Sequence, residues 1–352
     1  GAMGVMSAYH SIDGIPCSAN RWLLTDVLRQ EWGFRGIVVS DWAAVSSLHA
    51  IHRVARDYDE AAVAALTAGM DVELPATFAY RRVAEMVRER KLPLAVLDET
   101  IRRILRVKFW CGLFDRPFVD QRRSVAMINC PAHQSLALQA ARECIVLLKN
   151  DGILPLLKHA KSIAVIGPNA AQGRLGGYST PGTDVISLLA GIQAAAPQTQ
   201  VLFQAGCDVD SMEPGGLPAA VKAARQAETV VLCLGGSHTT EGEGRDRASL
   251  DLPGVQETLL LRVLEANPRV VVVLISGRPV TMRRWADRAR AILVGWYPGQ
   301  FGGTALAEVL FGDIAPSGKL PITFPQTVGQ LPLYYNTKPS GRSYEYTDIP
   351  GL

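Results

Sequence analysis

Residues 269–277 read RVVVVLISG, a short and almost continuous run of β-branched and aliphatic side chains that ends at a glycine. Four more runs of this form lie in the second half of the chain, most of them separated by stretches with helical spacing: 162–168, 200–206, 228–236 and 291–296. Strands buried on both faces have this composition, because helices cover both sides of a parallel sheet. The pattern predicts a doubly wound α/β domain with a largely parallel sheet over residues 136–325.

The first part of the chain also alternates strand and helix patterns, but it contains only three candidate strands, in residues 4–9, 34–40 and 70–75. A closed (β/α)8 barrel needs eight strands and roughly 250 residues. We therefore interpret residues 1–118 as part of such a barrel. Polar, irregular residues 119–135 are predicted to be a linker between the two domains, and residues 326–352, rich in proline, glycine and tyrosine, a tail.

Composition excludes several classes of function. The 352 residues include 36 basic and 33 acidic side chains, well mixed, so neither nucleic acid nor a membrane surface is indicated as a partner. The six cysteines and six histidines show no metal-binding or disulfide spacing. The glycine-rich loops lack the spacing of phosphate-binding motifs, so no cofactor and no metal are predicted. With no apolar run near the ~20 residues of a membrane span, the sequence predicts a soluble protein and leaves its compartment open.

One predicted strand ends in a carboxylate and an indole, side chains that suggest a catalytic site. Residues 36–42 read GIVVSDW, which places the carboxylate of Asp41 and the indole of Trp42 at the end of a predicted strand. Barrel enzymes carry their catalytic groups at the carboxyl ends of the strands. A carboxylate beside an indole suggests a nucleophile next to a surface that stacks on a sugar. The alternative is that Asp41 only caps the helix that follows, and the local sequence by itself favours this cap.

Five segments of the chain share their motifs with one known family: 5–42, 68–75, 141–156, 241–256 and 295–325. In these segments, and in their order, the chain resembles glycoside hydrolase family 3, the family of β-glucosidases and β-xylosidases. The resemblance implies that residues 1–118 are the C-terminal part of a (β/α)8 barrel and that an α/β sandwich domain follows. It further implies that two parts of the family's fold are absent from the chain. These are the earlier barrel strands, which carry the residues that bind the sugar hydroxyls, and a third, β-sandwich domain.

The resemblance also implies the catalytic residues. Asp41 matches the family's nucleophile, and Glu243 matches its acid/base. The family places the acid/base three residues before an Asp-Arg pair, here Asp246-Arg247, which selects Glu243 over the competing Glu241. We interpret Asp246 and Arg247 as an ion pair that holds the loop. A retaining glycosidase needs two such carboxyl groups, one ionised to attack the anomeric carbon and one to protonate the leaving oxygen.

Two aromatic residues are candidates for substrate binding. The resemblance places a tyrosine like Tyr9 beside the nucleophile, where its hydroxyl would hold the carboxylate or the sugar ring oxygen. The alternative is a buried core tyrosine with a satisfied hydroxyl. For Trp42 we favour stacking on a pyranose face over packing in a core.

The sequence therefore predicts a retaining exo-β-glycosidase that hydrolyses terminal β-D-glucosides through a covalent glycosyl-enzyme intermediate. The expected substrates are small β-linked saccharides or aryl glycosides. The alternatives are a β-xylosidase of the same family and a catalytically incompetent fragment without the sugar-binding half of the barrel. Because a partial barrel has an open edge, we also predict a homodimer or a domain swap that covers it.

Overall fold

The computed structural model of the chain describes residues 1–179, 184–336, 338 and 349. The chain forms two compact units, Gly1–Ala126 and Met127–Leu352. The domain limits inferred from the sequence, with a linker at 119–135 and a tail at 326–352, stay predictions. Residues 337, 339–348 and 350–352 of that tail lie outside the described residues.

A three-stranded parallel sheet lies at the centre of the first unit. The strands of this unit are β1 (Gly4–Met6), β2 (Ser11–Ile12), β3 (Ile15–Pro16), β4 (Ile37–Trp42) and β5 (Val72–Leu74). The sheet order is β1-β4-β5, and β2 and β3 form a separate small hairpin. The three parallel strands are those that the sequence predicted for the partial barrel.

Helices alternate with these strands and bury their apolar faces against them. They are a π-helix (Trp22–Glu31), α1 (Ala44–Ala50), α2 (Tyr58–Ala68), α3 (Val83–Arg88) and α4 (Leu94–Trp110), with 3-10 turns at Cys17–Ala19 and Tyr80–Arg82. Helix α2 has clear local signals: Asp57 accepts the Glu60 N–H at its start, and Gly69, with φ +110°, ends it. Val38 of β4 packs in the core of this unit with Leu48 and Leu66.

The stretch predicted as an irregular linker is partly helical. Helix α5 (Gln121–Met127) and the first residues of α6 (Pro131–Cys144) lie within it. Asp120 accepts the N–H groups of Arg122 and Arg123, and Pro131 occupies the first turn of α6, where a missing N–H costs nothing. The prediction of irregular structure was therefore wrong here, because Asp120 caps α5 and Pro131 begins α6 within this polar stretch.

A six-stranded sheet lies at the centre of the second unit. Its strands are β6 (Val146–Asn150), β7 (Ser162–Ile166), β8 (Gln200–Gln204), β9 (Thr229–Gly235), β10 (Val270–Ile275) and β11 (Ala291–Val294). The order is β6-β11-β10-β9-β7-β8, and only the edge strand β6 is antiparallel to its neighbour. The predicted α/β fold with a largely parallel sheet is confirmed.

Helices cover both faces of this sheet, which explains the continuous apolar runs. They are α6, whose Ala141 packs in the core of this unit, α7 (Leu188–Ala195), α8 (Leu217–Gln226), α9 (Gln256–Ala266) and α10 (Gly302–Phe311), followed by a 3-10 turn at Val328–Gln330. Alternate side chains of β9 enter different cores: Val230 and Leu232 pack on one face, and Val231 and Cys233 on the other. In the described part of the chain, no helix combines the length and the apolar character that a membrane span requires.

Candidate active site

Asp41 lies at the carboxyl end of β4, where the pairing with β5 is irregular. Val39 pairs with Val72 and Trp42 with Leu74, so β4 has one more residue than β5 between these two pairs. Ser40 spans the irregularity, because its hydroxyl accepts the Leu74 N–H at 2.9 Å and donates to the Asp41 carbonyl at 2.7 Å. An extra residue of this kind changes the direction in which nearby side chains point.

The Asp41 carboxylate is half-buried and does not cap the following helix. Its Oδ1 accepts the N–H of the next residue, Trp42, at 2.6 Å. Helix α1 starts after Ala43, which has φ +59° and provides no side-chain cap. The interpretation of Asp41 as an N-cap was therefore wrong. The left-handed Ala43 turns the chain between the strand and the helix and leaves the carboxylate at the strand end.

Tyr9 and Trp42 both lie at this end of β4. Tyr9 is 42% exposed, and its hydroxyl donates to the Trp42 carbonyl at 2.8 Å. The alternative of a buried core tyrosine was wrong, since this side chain has substantial contact with solvent. Trp42 is 68% exposed, so its indole faces are accessible. The fold thus brings Tyr9, Asp41 and Trp42 together, although 32 residues separate Tyr9 from Asp41 in the sequence.

Asp71, which sequence reasoning did not select, holds β4 in place. Its Oδ2 accepts the Val38 N–H at 2.8 Å and lies 2.7 Å from Arg29 Nη2, and its Oδ1 lies 2.6 Å from Arg103 Nε. The residue is only 3% exposed. Burial raises the pKa of Asp71, whereas the two guanidinium groups and the Val38 N–H act in the opposite direction. The signal in the sequence was the presence of two acidic residues, Asp71 and Glu73, in the otherwise apolar stretch 68–74.

We expect Asp71→Asn to destabilise the first unit strongly. The substitution leaves Arg29 and Arg103 buried without their anion, and breaking a buried ion pair from one side costs about 3–5 kcal/mol. Urea denaturation followed by circular dichroism measures the free energy of unfolding. The matched control is Asp26→Asn, which removes an exposed pair with Arg21 and should cost ~0–1 kcal/mol. Equal losses in the two variants would contradict a special role for the buried network.

Glu243 lies at the tip of the loop that follows β9. It is exposed and stands between Gly242, with φ +126°, and Gly244, with φ +69°. Residues that carry a side chain rarely adopt these backbone angles, so glycine is favoured at both positions. Glu243 therefore carries the only side chain in three consecutive positions, and its carboxyl group is accessible to a ligand.

Glu241, two residues earlier, is in a very different environment. It is 6% exposed, and its carboxylate lies 2.6 Å from Ser276 Oγ and 2.5 Å from both the Gly277 nitrogen and the Tyr297 hydroxyl, which donate to it. Burial and the neighbouring Glu241 carboxylate raise the pKa of Tyr297. A buried carboxylate whose oxygens already accept three hydrogen bonds is not exposed to a ligand in the way that Glu243 is.

The loop is held by Arg278, and not by the ion pair that we predicted. Arg278 Nη2 donates to the Thr240 carbonyl at 3.3 Å and to the Arg245 carbonyl at 2.8 Å. Asp246 and Arg247, both within the described residues, form no ion pair with each other. The prediction failed because neighbouring opposite charges in an exposed loop gain little from pairing. The Arg278 side chain, in contrast, reaches two backbone carbonyl groups of the loop at once.

Within the described residues, no group of three or more histidine, cysteine, aspartate or glutamate side chains is placed to hold a metal ion.

Comparison with known proteins defines the family. The profile of the glycosyl hydrolase family 3 N-terminal domain matches residues 1–107, and that of the C-terminal domain of the same family matches residues 145–348. The chain therefore belongs to glycoside hydrolase family 3. Both the Asp41 strand and the Glu243 loop lie inside the matched segments.

Relatives and solved structures agree with this assignment. The chain is 38% identical to a β-xylosidase from Formosa agariphila, over 99% of this chain and 51% of that protein. It is 36% identical to a periplasmic β-glucosidase from Salmonella typhimurium, over 98% of this chain and 49% of that protein. A β-glucosidase structure from Listeria innocua in complex with isofagomine has a TM-score of 0.92 and 34% identity, and covers 99% of this chain and 51% of its own. The chain spans about half the length of the curated relatives that it matches.

Proposed function

We propose that this chain carries the two catalytic carboxyl groups of a retaining exo-β-glycosidase that acts on terminal β-D-glucosides. Asp41 is the nucleophile and Glu243 is the acid/base. The observation that carries the proposal is the half-buried Asp41 carboxylate at the bulged end of β4, within the segment that matches the family. The contrast between exposed Glu243 and hydrogen-bonded Glu241 supports the choice of the acid/base.

The reaction has two steps. Asp41 attacks the anomeric carbon while the bond from that carbon to the glycosidic oxygen breaks, and Glu243 gives its proton to the departing oxygen. In the second step Glu243 takes a proton from water, whose oxygen attacks the anomeric carbon and releases the Asp41 carboxylate. Two inversions at the same carbon give a product with the β configuration of the substrate.

Tyr9 and Trp42 bind the sugar in this proposal. The exposed indole of Trp42 offers a flat apolar surface to the face of a pyranose ring. The hydrogen bond from the Tyr9 hydroxyl to the Trp42 carbonyl ties this part of the strand end to the segment after β1. This contact supports the position of the indole, and Tyr9 itself stays 42% exposed.

The names of the relatives support both glucosides and xylosides as substrates, because they include β-glucosidases and β-xylosidases. We expect p-nitrophenyl β-D-glucoside to be hydrolysed with a higher kcat/KM than the β-D-xyloside. Proton NMR during early turnover should show the β-anomer of glucose first. An α-anomer as first product would contradict retention, and a faster xyloside would support the β-xylosidase alternative. A folded chain that hydrolyses neither compound would support the incompetent fragment.

The homodimer or domain swap stays a prediction. Among the described residues β1 pairs with β4 alone, so its other edge has no strand beside it. We propose that a second copy covers this edge, and sedimentation velocity of the chain would measure it. A monomer at all concentrations would contradict the proposal.

A further inference from the structure

Glu241 and four residues on neighbouring strand ends form a set that we call the loop clasp: Glu241, Ser276, Gly277, Arg278 and Tyr297. We infer that the loop clasp positions Glu243 for proton transfer, so that Glu241, Arg278 and Tyr297 are positioning residues of the reaction. This inference rests on the proposed function, since it takes Glu243 as the acid/base.

The loop clasp joins three strand ends at one edge of the parallel sheet. Glu241 belongs to the loop after β9, Ser276 and Gly277 follow β10, and Tyr297 follows β11. The Glu241 carboxylate bonds to all three partners at 2.5–2.6 Å. Hydrogen bonds to an ionised acceptor are about twice as strong as neutral ones. The first side of the Glu243 loop is therefore fixed to the rigid part of the domain.

Arg278 fixes the other side of the same loop. Its Nη2 donates to the carbonyl of Thr240, before Glu243, and to that of Arg245, after it. Its Nε lies 3.8 Å from Glu241 Oε1, so its charge also faces the buried carboxylate. One guanidinium group thus connects both ends of the segment 241–245. Between these anchors, the two glycines beside Glu243 have no side chains that could restrain the tip.

The surroundings of Glu241 are shaped to receive a carboxylate. A Cβ atom at Gly236 would lie 2.2 Å from the Glu241 carboxyl carbon, and one at Gly277 would lie 3.3 Å from Oε2, so these glycines leave the space it occupies. Tyr297 follows Trp296, a bulky residue with φ +56°. Left-handed backbone at such a residue is strained and occurs where the surrounding structure demands it. The strained residue lies directly before Tyr297, whose hydroxyl donates a hydrogen bond to Glu241.

The test compares substrates that differ in their need for an acid. Methyl β-D-glucoside has a poor leaving group, and 2,4-dinitrophenyl β-D-glucoside leaves without protonation. In Glu241→Gln one carboxylate oxygen becomes an NH2 group that faces donors, and Tyr297→Phe removes a single hydroxyl. We expect kcat/KM for the methyl glucoside to fall about 10- to 100-fold in Glu241→Gln, because a displaced catalytic group transfers its proton less efficiently. The loss in Tyr297→Phe should be smaller. For the dinitrophenyl substrate we expect less than about a 3-fold change, because it bypasses the acid.

Hydrogen exchange provides a second measurement that does not depend on turnover. In both variants the amides of residues 242–245 should exchange faster, while those of β9 and β10 keep their protection. The matched control, Glu213→Gln, changes an exposed glutamate of the same unit and should alter neither measurement. Unchanged exchange in the loop, or an equal loss with both substrates, would overturn the inference.

Failure of the proposed function has a different signature. If Glu243→Ala itself shows no dependence on the leaving group, then Glu243 is not the acid/base, whatever the loop clasp does. If the unaltered chain hydrolyses neither substrate, the proposed activity fails for this chain, and the exchange experiment alone decides whether the loop clasp holds residues 242–245.

Discussion

Asp41→Ala is expected to abolish hydrolysis of p-nitrophenyl β-D-glucoside, with a loss in kcat on the order of 10⁴-fold or more, the scale seen when a member of a catalytic set is removed. Without the carboxylate no glycosyl-enzyme intermediate forms, and water does not replace an oriented nucleophile. Initial rates measure the loss. Asp26→Asn, an exposed change in the same unit, should keep full activity.

Two chemical experiments separate a lost nucleophile from a damaged fold. Azide added to Asp41→Ala should restore turnover and yield the α-glycosyl azide, since a single attack inverts the anomeric carbon. In the unaltered chain, a 2-deoxy-2-fluoro glucoside should label the tryptic peptide of residues 36–53, in which Asp41 is the only carboxylate. A label on any other peptide would show that another residue is the nucleophile.

Glu243→Ala is expected to reduce kcat/KM about 10²- to 10⁴-fold for methyl β-D-glucoside, which is the usual contribution of general acid–base catalysis. With 2,4-dinitrophenyl β-D-glucoside the first step needs no proton, so the intermediate on Asp41 should form rapidly and then accumulate. A pre-steady-state burst of dinitrophenolate measures this accumulation. Because Glu243 is exposed between two glycines, we expect the substitution to leave the fold unchanged, and circular dichroism tests this.

Azide again identifies the role of the residue. In Glu243→Ala it should react with the intermediate and yield the β-glycosyl azide, the opposite anomer to that from Asp41→Ala. Glu213→Gln, the exposed control of the second unit, should behave like the unaltered chain. Equal losses with both leaving groups, or no glycosyl azide of the β form, would contradict the assignment of Glu243 as acid/base.

Much of the fold could be predicted because its signals are local. Runs such as 228–236 and 269–277 indicate strands whose two faces are both buried, and β9 and β10 have this burial. The prediction failed for the stretch around 121–127, where capping by Asp120 starts a helix that composition does not indicate. The antiparallel direction of β6 was not predicted either, because an apolar run has the same composition in both directions.

The features of the candidate site also fall into two groups, those that local sequence indicates and those that depend on distant contacts. The sequence by itself determined that a carboxylate and an indole end one strand and that glutamates lie in a glycine-rich loop, because these features depend on neighbours in the chain. Only the tertiary structure decided the environment of each carboxyl group. Glu241 is buried by partners 35–56 residues away, and Asp71 meets Val38, Arg29 and Arg103 from 32–42 residues away. Glu241 meets its partners where neighbouring strands end, and Asp71 meets its partners where two helices pack beside β4. Local sequence patterns contain no information about which distant residues the fold brings together at these places.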